Sequence, residues 1–280
     1  MSQMLTARRV GLSGTALKTI ALVLMLMDHI HYFFEFTGAI PIWFTMLGRL
    51  SAPLFLFCTA EGFAHTHDRK RYFLRMLAVA APMGALQFFM TYAGWWRRGD
   101  GFFPLNGIFM NFVLLCVIWQ GMDWLKEKRF VRGTLAILIP LLGWPLAAGR
   151  LSVAVPALAT PIGLLCYTLL PSWTIITDGG LTYLLEGMIL YGFRSKRPVQ
   201  LGAWAAFVLL AFLVLPMRSG YTFTVLCTEA FEWFSVFAVF LMALYNGQRG
   251  AGRKSLFYLI YPGHVYAFYA LSCVLYQFLH

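Results

Sequence analysis

Apolar runs long enough to cross a bilayer follow one another along this chain almost without a break, and that decides most of what it can fold into. A spanning helix needs roughly 20 apolar residues, because no water is available inside the membrane to satisfy an open backbone. Such runs lie at about 13–35, 41–63, 72–93, 103–124, 199–216, 221–245 and 256–279. Only 12% of residues are charged and 60% are hydrophobic, too few charges to cover a soluble surface. The expected fold class is an all-α polytopic transmembrane bundle, one domain over residues 1–280 with no fixed-period repeat.

A net charge of +11 raises the question of nucleic acid. Position excludes it. The cations gather between apolar runs: Arg8, Arg9 and Lys18; Arg69, Lys70, Arg71 and Arg75; Lys126, Lys128, Arg129 and Arg132; Arg194, Lys196 and Arg197; Arg249, Arg253 and Lys254. Clusters of this kind mark cytoplasmic loops, so the basic balance is a topology signal. The segment 133–193 holds three apolar pieces, 133–149, 151–171 and 180–193, between two clusters that both belong on one side. An even number of crossings must separate them. Pro140, Pro145, Pro156, Pro161 and Pro171 point to a broken or re-entrant helix in this middle segment. About nine crossings with a cytoplasmic N-terminus result, with ten as the alternative. The five cysteines are scattered through apolar segments and form no metal or disulfide pattern.

Ionisable groups inside a bilayer are costly unless paired, hydrated or lining a cavity, so their places carry information. Lys18 and His29 lie on the first run, eleven residues apart. On a helix they differ by only about 20° in direction and by about 16 Å in depth. Leu22 and Met25 fall between them on the same stripe. The polar groups sort into two layers. Lys18, Glu61, His65, Tyr72, Arg75 and His264 form the inner one, with Tyr261 beside it; Asp28, His29, Arg49 and Asn106 form the outer one. Duller readings stand beside these. Lys18 as a snorkelling cation, Arg49 with Asp28 as a structural ion pair, and His67 as an ordinary loop residue all fit the same positions. Glu186, Glu229 and Glu232 are buried acids without a partner legible in the sequence.

Several motifs in order carry a resemblance. Leu17-Lys-x-Ile-Ala, Met27-Asp-His29, Gly48-Arg-Leu-x-x-Pro-Leu-Phe55, Glu61-Gly-Phe63 with His65-Thr66, Tyr72-x-x-Arg75, Asn106-x-x-Phe109 and Tyr258-x-x-Tyr261-Pro-x-His264 resemble the TraX family. The likeness is strongest over the first 110 residues and the last 25; residues 133–245 fit by hydropathy only. Members of that family are associated with conjugal transfer and acetylate the N-terminus of pilin. The Lys18–His29 spacing is also similar to the basic-x10-His signature of wider membrane acyltransferases that O-acylate glycans.

The resemblance implies a multi-pass acetyltransferase of the bacterial inner membrane. Acetyl-CoA would enter from the cytoplasm and be held by Lys18, Glu61, His65, Tyr72, Arg75, Tyr261 and His264. His29, oriented by Asp28, would act as base or nucleophile, with Arg49 or Asn106 stabilising the oxyanion. The acceptor is a protein N-terminus or an envelope glycan, and no metal is implied. Two rivals remain at this stage. A proton-coupled secondary transporter also uses intramembrane His, Asp and Arg, although the two similar halves common in transporters are not seen. A non-catalytic membrane assembly component is the other.

Overall fold

A computed structural model describes residues 11–252 and 254–280, with the side chains of Lys254, Ser255 and Leu256 left aside. Arg8, Arg9 and Arg253 of the topology argument, and the side chain of Lys254, lie outside the described residues. Among those described the chain is helical, with one isolated bridge between Leu12 and Tyr245 and no strand. It is a multi-pass membrane protein: seven of its helices are long and apolar enough to cross.

Those seven passages are α1 (Gly14–Phe34), α2 (Trp43–Gly48) with α3 (Ser51–Ala64), α4 (Arg69–Tyr92), α5 (Ile108–Lys126), α6 (Phe130–Leu138) with α7 (Trp144–Ala154), a later one over Arg197–Arg218, and the last over Phe257–Leu279. Between α7 and the later passage lie two shorter helices, α8 (Ala159–Tyr167) and α9 (Gly180–Gly192), separated by non-helical chain over 168–179. Of this middle segment only Phe130–Ala154 is by itself long and apolar enough to cross. The later passage joins α10 (Arg197–Leu209) to α11 (Leu215–Arg218) through a π-turn at Leu210–Val214. After it the expected continuous span 221–245 is not formed. α12 (Phe223–Thr228), a 3-10 segment at Phe231–Phe237 and α13 (Ala238–Ala243) replace it, and α14 (Lys254–Leu279) closes the chain.

Several of the breaks sit at prolines. Pro145 has no N–H for the carbonyl of Leu141. The indole Nε1 of Trp173 donates to that carbonyl at 2.8 Å, so the exposed backbone group is met from the chain between α8 and α9. Pro53 likewise leaves the carbonyl of Arg49 without its helical donor, and α2 gives way to α3 at Arg49–Leu50. Gly84 on α4 lets α8 come close, since a Cβ there would lie 1.6 Å from the carbonyl oxygen of Tyr167.

One face of the bundle gathers the basic loops. There Asp123 at the end of α5 accepts from Arg69 at 2.7 Å and Arg194 at 2.8 Å, and from the Tyr191 hydroxyl at 2.7 Å, tying α4, α5 and α9 together. On the far face Arg98 donates to Asp100 and to the carbonyl of Phe33. The Arg98 hydrogen bond to Asp100 holds its carboxyl below the usual carboxylate range.

Candidate active site

α1 supplies the polar stripe, and the neighbours of α1 turn it into a cavity. Lys18, Leu22, Met25 and His29 all line one chamber of about 830 Å³. From Lys18 to His29 it follows the helix for about 16 Å. Its wall on the basic side carries Glu61, His65, Tyr72 and Arg75, and its far end carries Asp28, Arg49, Asp178 and Tyr261. Residues of both layers therefore open into a single space, and Lys18 lines it.

At the basic end the cations are more available than the acid. Glu61 is paired with Arg197 at 3.1 Å, and the Arg197 guanidinium lies over the rings of Phe57 and Tyr245. His65 is exposed at the rim, with Nδ1 on the carbonyl of Glu61 at 2.9 Å. Arg75 uses Nε on the carbonyl of Arg71. Lys18 makes no ion pair with the described residues. Tyr72 is buried and donates to the carbonyl of Thr59, so its hydroxyl braces α3 from inside the wall.

At the far end three expectations change. Asp28 does not orient His29. Adjacent residues on a helix point about 100° apart, and Asp28 turns to α2, where it pairs with Arg49 at 3.0 Å and accepts from Thr45. Gly48 makes this possible, because a Cβ there would lie 2.4 Å from that of Asp28. The duller reading of Asp28 and Arg49 is the one the structure adopts. Second, Asn106 falls inside the expected run 103–124 but is not helical. It sits in the extended approach to α5, held by Tyr32 and Thr177 contacts to the adjoining Leu105, and its Nδ2 stands 3.1 Å from His29 Nε2. Its Oδ1 is buried with no partner. Third, His264 leaves the inner layer. Its Nε2 meets Nδ1 of His29, and the two rings lie within 17° of coplanar with centroids 4.7 Å apart. That spacing fits two rings joined edge to edge by a hydrogen bond.

Residues 13–272 match the family described as TraX protein. The chain belongs to the TraX family. It is also similar to a probable fimbrial assembly protein FimC, serogroup H1, of Dichelobacter nodosus, with 26% identity over 286 residues covering 98% of this chain and 99% of the relative. No solved structure matches it. The TraX match takes in every residue placed at the far end of the cavity, from Asp28 to Tyr261, and His264 behind it.

Reading the sequence missed Asp178. It stands in the break between α8 and α9 and lines the far end of the cavity. Its own carbonyl accepts from Asn111 at 2.7 Å. The signal was present: with Glu186 it is one of two acids in 133–193, next to a Gly179-Gly180 turn. Glu186 is buried on the cavity wall and accepts from the Trp204 indole at 2.8 Å, which supplies the partner the sequence did not name. Glu232 and Ser235 reach the cavity from the broken 3-10 segment.

Proposed function

We propose that this TraX-family protein is a membrane acyltransferase that moves acetyl from cytoplasmic acetyl-CoA to an amine or hydroxyl acceptor of the cell envelope. The carrying observation is the single cavity that runs from Lys18 to His29. The basic loops, placed on the cytoplasmic side with the N-terminus, attract the CoA phosphates, and Lys18 and Arg75 meet them at the mouth. The pantetheine arm lies along Leu22 and Met25 and brings the thioester to His29.

There the acceptor N–H or O–H takes the place of the Asn106 amide at Nε2 of His29. The acceptor atom attacks the thioester carbonyl carbon while His29 takes its proton. The oxyanion that forms lies near the Arg49 guanidinium and the released Asn106 amide. Collapse breaks the C–S bond, and the proton on His29 passes to the departing CoA sulfur. A fimbrial-assembly relative supports an acceptor among pilin-like subunits, and conjugation or pilus assembly as the setting.

The test is transfer of labelled acetyl from acetyl-CoA by protein purified into nanodiscs, with pilin-type peptides and envelope glycans as acceptors. His29→Ala should lower kcat by roughly 10²–10⁴-fold, the range of a lost general base, while the melting profile stays that of the native protein. Full activity in that variant would remove His29 from the reaction.

A further inference from the structure

The hydrogen bonds around His29 run in one direction only, and a backbone carbonyl sets that direction. His264 Nδ1 stands 2.8 Å from the carbonyl oxygen of Ile260, one turn back on α14. A carbonyl can only accept, so this Nδ1 carries the hydrogen. A neutral imidazole has one such hydrogen, which leaves Nε2 of His264 as an acceptor. That nitrogen faces Nδ1 of His29, which must therefore be the donor. Nε2 of His29 is then bare and accepts from the Asn106 amide nitrogen. Reversing the chain would oppose two lone pairs at Ile260. Turning the Asn106 amide over would oppose two more at His29. The same logic makes Asn106 Oδ1 the atom left without a partner.

We propose that His264 is a positioning residue, whose Nε2 accepts the Nδ1 hydrogen of His29 and so holds His29 in the tautomer with Nε2 free to take a proton. In water, histidine favours the opposite tautomer, with hydrogen on Nε2, which cannot serve as a base there. The role is that of the carboxylate behind the histidine in a Ser-His-Asp triad, here filled by a neutral ring. His264 stands behind His29, off the cavity wall, and so acts through it. Its ring is fixed by edge contacts with Tyr261 and Phe268, both on its own helix. The near-coplanar rings keep the His29 ring from turning about its own bond. The inference rests on the reading of His29 as the base.

Solid-state NMR of ¹⁵N-histidine-labelled protein in nanodiscs, with His29→Ala to identify the His29 signals, reads the tautomer without any need for activity. The expected wild-type result is a protonated Nδ1 and a bare Nε2. His264→Phe keeps ring volume and removes the acceptor. It should move hydrogen to Nε2 of His29 and lower kcat by about 10²-fold or more, as wrong-tautomer variants of triads do. The KM for acetyl-CoA should stay within about twofold, since His264 does not reach the donor end. His264→Gln, whose amide oxygen can accept from Nδ1, should restore the tautomer and most of kcat. Wild-type protein that transfers no acetyl would end the acyltransferase reading, while the spectra would still decide the contact. A bare Nδ1 in the wild type, or wild-type kcat in His264→Phe, overturns the positioning role.

Discussion

At the scale of single residues, the far end of the cavity separates structural from chemical polarity. Asp28 and His29 are neighbours in sequence, yet one turns to Arg49 and the other to Asn106 and His264. The side chains of Arg49 and Asp28 keep 33% and 21% exposure, so their pair falls between a surface bridge and a buried one. Asp28→Asn should therefore destabilise the protein by about 1–2 kcal/mol, with a non-additive term when combined with Arg49→Gln. Its kcat should fall far less than that of His29→Ala. Paired melting curves and turnover measurements check this. Equal loss of activity in Asp28→Asn and His29→Ala, without a change in melting, would return Asp28 to the role of His29's partner.

At the scale of elements, much of the site hangs on broken pieces. Asn106 lies on extended chain, Asp178 in the gap between α8 and α9, and Arg49 in the step between α2 and α3. Irregular backbone at membrane depth is tolerated where it faces protein or a hydrated cavity, and here it carries Arg49 and Asp178 to the cavity and Asn106 to His29. The seating of α8 against α4 depends on the close approach at Gly84. Gly84→Ala would drive a methyl into the Tyr167 carbonyl and should cost roughly 2 kcal/mol, in the range of overpacked cores. It should also loosen the gap that positions Asp178. Thermal unfolding, together with faster hydrogen exchange over 168–179, is the measurement; native exchange in that segment would detach it from α4.

At the scale of the whole molecule, the cavity joins a cation-rich mouth to an imidazole some 16 Å away along α1. The two ends can be separated by experiment. Lys18→Ala should raise the Kd for acetyl-CoA roughly tenfold, the loss of one charge-assisted contact of about 1.5 kcal/mol, with little change in kcat. The affinity of the wild-type protein should fall as ionic strength rises, and that slope should flatten in the variant. Calorimetry with acetyl-CoA at two salt concentrations tests both; an unchanged affinity places the donor elsewhere.

The linear order of residues was enough for the membrane class, the pairing of basic loops on one face and the Lys18–His29 stripe. These are local properties, set by the run length of apolar residues and by helical periodicity. The broken middle was also legible, because proline acts on its own backbone. Partners were not. Whether His29 meets Asp28, one residue away, or His264, far along the chain, depends on which helix packs against which side of α1, and periodicity contains no such information. Asp178 reaches the cavity, and Asn106 reaches His29, on non-helical backbone whose direction is set by contacts between passages. The tertiary structure alone decided those contacts, because the apolar faces that press the passages together fit many neighbours, and only close packing at positions such as Gly48 and Gly84 selects one.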